Sequence, residues 1–322
     1  MTTYLHKKFD LTISKIFEQN IKTSILIAVS GGQDSLCLIK LLEDFYDKYK
    51  FLLEVAYIYI DHQWRKDSYN QIRHLINIIK STQQKIIIYQ IKDIVNSEAK
   101  ARKLRYQILI KHAEKYNYLA IITAHTSTDR IETFWQQLVR GTTINGITSF
   151  HQCRRLSQYI YIYRPLIEFS RTEINWLCRK FYLSIWSDMT NYEYKMQRNR
   201  LRNELIPYIN KYFTINLEKR LINFLEISNL ENEYIKQNAI KLYLMSRHKI
   251  SVALNYSLIA KQHISLQKRT LQIFFHHVHQ SLDTVTINQL IMHIANCKVK
   301  HYTVRFKNIN IHVFCNKWIY IN

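Results

Sequence analysis

The spacing of apolar residues alternates between two periods along residues 25–140. Short continuous apolar runs, such as residues 25–29, are typical of strands that are buried on both faces. Between these runs apolar residues return every three or four positions, as at Leu36, Ile39 and Leu42, which predicts helices. The predicted strands are residues 25–29, 53–60, 85–91 and 119–123, and the predicted helices include residues 97–117 and 128–140.

Strands that alternate with helices at this spacing predict an α/β fold with a doubly wound parallel sheet. Ligands of such sheets bind beyond the carboxyl ends of the strands. Three predicted strand ends carry polar residues, at positions 30–35, 61–65 and 125–132. The sequence therefore predicts that its chemically active residues meet along one edge of the sheet.

The pattern changes near Thr214 to that of long helices without intervening strands. Residues 301–321 then alternate in the manner of a small hairpin. We therefore predict two domains. Residues 1–213 form the sheet domain, and residues 214–322 form a mainly helical domain that ends in the hairpin.

The first predicted strand is followed at once by a turn of small and polar residues, Ser30-Gly31-Gly32-Gln33-Asp34-Ser35. A helix start offers unpaired N–H groups and the positive end of the helix dipole, which together suit a phosphate. Two of the four glycines in the chain stand here, where they let the backbone approach an anion closely. Asp34 would repel a phosphate unless Mg²⁺ lies between them. The alternative is an ordinary strand-to-helix turn.

A second polar group follows the fourth predicted strand and begins at His125. Asp129 and Glu132 are three residues apart, so they share one face of the predicted helix. Two carboxylates near a helix start can bind a cation, although Asp129 can also simply cap the helix. Beside a nucleotide-binding turn we favour the binding role.

Arginines form two further groups, Arg102 with Arg105 and Arg198 with Arg200 and Arg202. Guanidinium groups can clamp the phosphates of ATP or RNA. For each arginine taken singly, a solvated charged face is an equal alternative.

Composition narrows the class of protein. The formal charge is +22 and both predicted domains are basic, which favours a polyanionic partner such as nucleic acid. No apolar run reaches the roughly 18 residues of a membrane span, and residues 1–10 resemble neither a signal peptide nor a transit peptide. The five cysteines include no Cys-x-x-Cys pair, which argues against zinc and iron–sulfur sites. Few Gly and Pro with abundant Ile, Lys, Asn and Tyr indicate an AT-rich gene, as in an organelle or a symbiont.

The turn at residues 30–35 resembles the PP-loop of ATP pyrophosphatases, which adenylate an oxygen of their substrate and release pyrophosphate. Taken together, the motifs resemble those of the tRNA(Ile)-lysidine synthetases, in family order over roughly residues 25–207. The matching residues are 30–35, Asp61-His62 with Arg65, Ala101-Arg102 with Arg105-Tyr106, His125 with Asp129, Glu132 and Thr133, Arg140-Gly141, and Asp188, Thr190 and Asn191 with Arg198-Asn199-Arg200. The chain departs from the family pattern at Gln63-Trp64, Thr126, Thr128 and Arg130.

The resemblance implies a ligase that joins free lysine to C2 of the wobble cytidine, position 34, of the isoleucine tRNA with a CAU anticodon. ATP and Mg²⁺ would be used, an adenylated cytidine would form, and AMP and pyrophosphate would leave. Residues 30–35, Asp61 and His125 would bind the nucleotide, and Asp34 would hold the metal. The residues implied in catalysis are Asp34, Arg105, Asp129, Glu132, Arg198 and Arg200.

The same resemblance implies that residues 214–322 bind tRNA. Composition and the N-terminal residues together predict an organelle-encoded protein of the plastid (chloroplast stroma), with the bacterial cytoplasm as the alternative. Assembly is open, with a homodimer as one option. The alternative functions are a tRNA-binding protein with a degenerate PP-loop and another PP-loop enzyme that modifies tRNA.

Overall fold

The first apolar run of the chain forms an inner strand of a six-stranded sheet. The computed structural model describes residues 2–14, 23–48, 53–63, 68–92, 97–186, 197–280, 282–296, 301–306, 309–314 and 317–321. The strands of this sheet are β1 (Thr23–Val29), β2 (Leu53–Asp61), β3 (Lys85–Gln90), β4 (Ala120–Thr123), β5 (Cys153–Arg155) and β6 (Tyr161–Tyr163). Their order across the sheet is β3-β2-β1-β4-β6-β5.

All neighbouring strands in this sheet pair in parallel except β5, which is antiparallel to β6 at one edge. The predicted doubly wound α/β fold is therefore confirmed. The sequence did not predict β5, because its three residues are all exposed and show no apolar alternation. From β1 the chain adds β2 and β3 on one side, and it then returns to add β4 on the other side of β1. Ligands of such sheets bind at this switch point, between β1 and β4.

Helices cover both faces of the sheet. They are α1 (Tyr4–Ser14), α2 (Gln33–Lys48), α3 (Ser68–Ser81), α4 (Glu98–Lys115), α5 (Ser127–Val139), α6 (Ile144–Ile147), α7 (Arg171–Lys180), α8 (Gln197–Arg200), a π-helical turn (Leu201–Leu205) and α9 (Ile206–Tyr212). Alternate residues of β1 enter different cores. Ile25 and Ile27 join one cluster with α1, α2 and α7, whereas Leu26 joins a second cluster with Leu109 and Ala113 of α4. This two-sided burial explains the continuous apolar run in the sequence.

The chain divides into two compact units, Met1–Leu225 and Glu226–Asn322. The division falls inside α10 (Leu217–Ser246), whereas the sequence predicted a boundary between residues 213 and 214. The helix continues through this point without a Gly or Pro, so the sequence offers no local break there.

The second unit combines helices with a four-stranded antiparallel sheet. Its elements after α10 are β7 (Ala253–Asn255), α11 (Tyr256–Ile259), α12 (Ile264–His277), α13 (Thr284–Asn296), β8 (His301–Phe306), β9 (Ile309–Phe314) and β10 (Trp318–Ile321). The predicted hairpin corresponds to β8 and β9, and β10 and β7 extend it in the order β7-β10-β9-β8. Its core includes Phe274, Leu290, Ile311 and Ile319. None of the helices in the described residues is long and apolar enough to cross a membrane.

Candidate active site

The turn between β1 and α2 has the geometry of an anion-binding loop. Gly31 has φ +75°, and a Cβ at this position would lie 3.2 Å from Nε2 of Gln71, so only glycine fits without strain. Ser35 Oγ accepts a hydrogen bond from the Ser30 backbone N–H at 3.0 Å and lies 2.9 Å from Ser30 Oγ. The two serines therefore tie the loop to the first turn of α2 and leave the start of the helix available for an anion.

Gln71 of α3 binds the backbone of this loop, and the sequence motifs did not predict it. Its Nε2 donates to the carbonyl oxygen of Ser30 at 3.0 Å, and the side chain is buried. Gln71 occupies the same helix face as Leu75 and Ile79, the buried residues of α3. A polar residue in line with a buried apolar stripe was the signal that could have revealed it.

Two cavities of about 210 and 220 Å³ open at the carboxyl ends of the strands and share Val29, Ser30 and Arg105. The first is also lined by Asp61 and His62. Predicted site residues that line the second are Ser30, Asp34, Ser35, Arg105, His125, Asp129 and Arg198. The structure thus brings residues from four separate predicted motifs together at the sheet edge.

Glu132 lies at the centre of a buried ion-pair cluster beside the second cavity. Its side chain is 0% exposed, and its two carboxylate oxygens accept from different arginines. Arg198 Nε donates to Oε2 at 2.6 Å, and Arg202 Nε donates to Oε1 at 2.6 Å. Both oxygens of Glu132 therefore carry a charge-assisted hydrogen bond, which fixes the two guanidinium groups in place.

Asp129 caps a helix and takes part in this cluster as well. Its Oδ2 accepts from the Thr126 backbone N–H at 2.9 Å, which forms part of the capping box of α5. Its Oδ1 accepts from an NH2 group of Arg198 at 3.1 Å. The capping role that the sequence left as an alternative is present, and the other oxygen of the carboxylate pairs with Arg198. The binding role of Asp129 stays a prediction.

Arg200 does not join the cluster, although the sequence analysis placed it with the catalytic residues. Its Nε donates to Glu204 at 3.1 Å, and its side chain is 63% exposed. Residues two apart on a helix point to nearly opposite sides, whereas residues four apart share a side. Arg198 and Arg202 therefore face Glu132 together, and Arg200 does not.

The pKa values of the carboxylates differ with their surroundings. Burial and the nearby Asp129 carboxylate raise the pKa of Asp34 to about 6. Burial also raises the pKa of Glu132, against the opposing effect of Arg202 and Arg198. Burial would raise the pKa of Asp129, but the Arg198 guanidinium and the hydrogen bond from the Thr126 N–H outweigh it and lower the pKa.

His125 lies in this site as a neutral ring at physiological pH. Burial lowers its pKa to about 3, and Arg164, Arg102 and Arg105 add to this effect against the opposing Asp129. One ring nitrogen, Nδ1, lies 2.8 Å from Thr123 Oγ1, and the ring packs edge-on against Phe150. The other nitrogen can therefore serve a ligand as a hydrogen-bonding group without bringing charge.

The turn also fits the phosphates and metal ion that the sequence predicted. The Gln33 Nε2 amide is buried and has no hydrogen-bond partner among the described residues, so a donor is available beside the helix start. Asp34 lines the cavity next to Ser30. No three His, Cys, Asp or Glu side chains in the described part of the chain group closely enough to hold a metal by themselves. A cation at Asp34 would therefore take most of its ligands from phosphate and water, as Mg²⁺ commonly does.

Several matched motif residues lie outside the described residues. They are Arg65, Asp188, Thr190 and Asn191.

The parallel sheet and the glycine turn at the end of its inner strand define a PP-loop protein. The sequence pattern of the PP-loop domain matches residues 5–209. A chloroplastic tRNA(Ile)-lysidine synthase of Gracilaria tenuistipitata var. liui is 47% identical over 321 residues, which cover 99% of each chain. A chloroplastic enzyme of the same name from Pyropia yezoensis is 36% identical, covering 93% of this chain and 92% of that one. The chain belongs to the tRNA(Ile)-lysidine synthase family, as the sequence motifs predicted.

Two further matches are a sequence relative and a solved structure of similar fold. A tRNA(Ile)-lysidine synthase of the cyanobacterium Nostoc sp. PCC 7120 is 37% identical, covering 84% of this chain and 82% of that one. Among solved structures, the U34-tRNA thiolase NcsA from Methanococcus maripaludis superimposes with a TM-score of 0.57 at 13% identity, covering 68% of this chain and 77% of that one. This second likeness concerns the fold alone.

Proposed function

We propose that this protein ligates free lysine to C2 of the wobble cytidine in the isoleucine tRNA with a CAU anticodon, at the expense of ATP. The observation that carries the proposal is the PP-loop turn, whose open helix start faces a cavity shared with Asp34, Asp129 and Arg198. Full-length similarity to enzymes named for this reaction supports the choice of substrate.

The nucleotide phosphates would lie on the turn formed by residues 30–35. The helix start of α2 supplies N–H donors, and the left-handed Gly31 gives the backbone its anion-binding shape. Asp34 would hold Mg²⁺, which neutralises phosphate charge when it is bound. The neutral ring of His125 would offer a hydrogen bond to the nucleotide, and Asp61 would contribute from the neighbouring cavity.

The chemistry needs two displacements, because the C2 carbonyl of cytosine is a poor electrophile. In the first, O2 of the cytidine attacks the α-phosphorus of ATP, and pyrophosphate leaves. In the second, the ε-amine of lysine attacks C2, and AMP leaves with the former carbonyl oxygen. The amine must lose a proton first, since its reference pKa is about 10.4. Arg105 and Arg198, which both line the cavity, would stabilise the negative charge that develops.

Asp129 and Glu132 would then have different tasks. Asp129 lines the cavity, so its carboxylate would attract the lysine amine. Glu132 is fully buried and already bonded to two arginines, so it acts as a positioning residue for Arg198 and Arg202. Arg200 is paired with Glu204 on the exposed side, and we assign it no part in the chemistry.

The remaining predictions concern partners and location. We propose that residues 214–322 contribute to tRNA binding, in keeping with their basic composition. The plastid is the proposed location, because several relatives are chloroplastic proteins of algae. A homodimer stays a prediction.

The proposal is tested with the full chain, ATP, radiolabelled lysine and a transcript of the CAU isoleucine tRNA. We expect label in the tRNA together with equal amounts of AMP and pyrophosphate. The controls are a transcript with uridine at position 34 and the variant Asp34→Asn, and neither should acquire label. A chain that binds the tRNA but incorporates no lysine would instead be a tRNA-binding protein with a degenerate PP-loop.

A further inference from the structure

The two faces of the C-terminal four-stranded sheet differ sharply in composition. Side chains that point inward, such as Leu254, Ile311, Val313 and Ile319, are fully buried in the core of the second unit. The alternate residues of β8, β9 and β10 point outward, and five of these eight residues are aromatic or histidine. The outward rings, which we call the ring face, are His301, His312, Phe314, Trp318 and Tyr320.

The rings of this face line up across neighbouring strands. His312 is paired in register with Tyr320, and their rings stack with centroids 5.0 Å apart at an interplanar angle of 15°. His301 stacks on His312 from the other side, with centroids 5.7 Å apart. Phe314 stands beside Trp318 in the same register and is 49% exposed. His301 and Phe314 are exposed, whereas His312, Trp318 and Tyr320 are half-buried, so the ring face is partly open to solvent.

The charged residues on the strands of the ring face and in the turns between β8, β9 and β10 are all basic. Asp283 is the last acidic residue of the chain, and residues 284–322 contain five Lys and Arg and no Asp or Glu. Among these basic residues Arg305 and Lys317 are exposed at or beside the face. Aromatic rings within a basic surface are the combination that binds single-stranded nucleic acid, because bases stack on the rings while phosphates meet the cations.

We propose that the ring face binds unpaired nucleotides of RNA by base stacking. This inference rests on the proposed function, because it assumes that the bound RNA is the tRNA substrate, whose loops and 3′ end are unpaired. A second copy of the chain fits the face less well, since two such faces would bring like charges together and their strands carry no acidic residue to compensate.

The test uses the full chain and a fluorescein-labelled oligouridine of about eight nucleotides, read by fluorescence anisotropy at fixed salt. We expect Tyr320→Leu to weaken binding about ten-fold, since loss of one stacking ring has an effect of this size in single-strand binding. Tyr320→Phe keeps the ring and should bind as the unaltered chain does. Tyr234→Leu is the matched control, because Tyr234 is 71% exposed on α10 in the same unit but outside the ring face.

Three outcomes would overturn the inference. One is equal weakening by Tyr320→Leu and Tyr234→Leu, and another is a duplex RNA of the same length that binds as tightly as the single strand. The third is a change in sedimenting mass of Tyr320→Leu with unaltered oligouridine affinity, which would make the face a contact between copies.

A second measurement guards against a variant that fails to fold. Photocrosslinking of the unaltered chain to 4-thiouridine RNA should mark residues within β8, β9 and β10, and crosslinks confined to other segments would contradict the inference. The two proposals fail separately. Asp34→Asn should still bind oligouridine, and a chain that joins lysine to tRNA without ring-dependent binding would sustain the proposed function alone.

Discussion

The two units of the chain place their functional groups in opposite ways. In Met1–Leu225 the candidate site is built around a buried charge. Glu132 is fully buried and bonds to arginines that lie 66 and 70 residues further along the chain. In Glu226–Asn322 the rings stand outside, on strands that follow one another closely in sequence. The placement of the charged side chains in the first unit depends on how helices that are distant in sequence pack together. The placement of the rings in the second unit depends on the register of neighbouring strands.

This difference predicts how each unit responds to change. A buried charge cluster is interdependent, because removal of one member leaves its partners desolvated and unpaired. Rings on the surface of a sheet contribute one by one, so that the loss of each should weaken binding by a limited factor. We therefore expect large combined losses of stability and activity in the first unit, and graded losses of RNA affinity in the second.

The largest expected effect is that of Glu132→Ala on stability. It removes the buried carboxylate that Arg198 and Arg202 share and leaves Arg198 with Asp129 as its remaining carboxylate partner, which costs about 3 kcal/mol in the free energy of unfolding, the lower end of the range for a broken buried ion pair. Tyr320→Ala in the second unit should cost only about 1 kcal/mol, the range of strand propensity. Urea denaturation of each full-chain variant measures both values.

Glu204→Ala is the matched control for that experiment. Glu204 also pairs with an arginine of the same segment, but its side chain is 51% exposed and that of Arg200 is 63% exposed. An exposed pair of this kind contributes below about 1 kcal/mol. Equal decreases in the free energy of unfolding for Glu132→Ala and Glu204→Ala would contradict the prediction that the buried ion pairs contribute more than the exposed one.

The next effect is a pH dependence that belongs to Asp34. Its pKa is about 6 in the folded chain, above the reference value of about 3.9 for the unfolded chain. The folded state therefore binds more protons between these values, so the free energy of unfolding falls as pH rises from about 4 to 6, by up to about 3 kcal/mol. The difference in stability between wild type and Asp34→Asn, measured by urea unfolding at several pH values, isolates this contribution.

The same variant links stability to function. At pH 7 Asp34→Asn should be more stable than wild type and yet fail to form AMP, because it keeps the shape of the site but cannot hold the cation. A variant that lost both activity and stability would show instead that Asp34 supports the fold.

The smallest expected effect separates two adjacent glycines. Gly31→Ala places a side chain at φ +75° and 3.2 Å from Gln71 Nε2, which should cost roughly 1–2 kcal/mol of stability. Gly32→Ala meets no atom closer than Ser30 Oγ at 3.7 Å, so its stability should be nearly unchanged. Its new methyl group would nevertheless narrow the space for an anion. The affinity for the nucleotide, measured by calorimetry, should therefore fall for both variants. An unchanged affinity of Gly32→Ala would show that the nucleotide phosphates do not bind at this turn.

Sequence reasoning reached much of the site because its motifs follow strands. Periodicity located β1 to β4, and the carboxyl ends of parallel strands must meet at one edge, which gathered Asp34, His125 and Asp129. It failed where a partner lay far away in the chain. Gln71 looked like one more residue of an amphipathic helix, because its partner Ser30 lies 41 residues earlier in the chain. The strand β7 has only three residues, and its partner β10 lies more than 60 residues later, so local alternation could not reveal it.

The amino-acid sequence by itself determined the alternation of strands and helices, the glycine turn and the family, since each is recorded in local spacing and residue type. Only the tertiary structure decided which charges meet. Helical spacing shows that Arg198 and Arg202 share a side and that Arg200 does not, but it does not say which side faces Glu132. That choice follows from how α5 and the segment around residue 200 pack, because a buried carboxylate is tolerated only where opposite charges surround it.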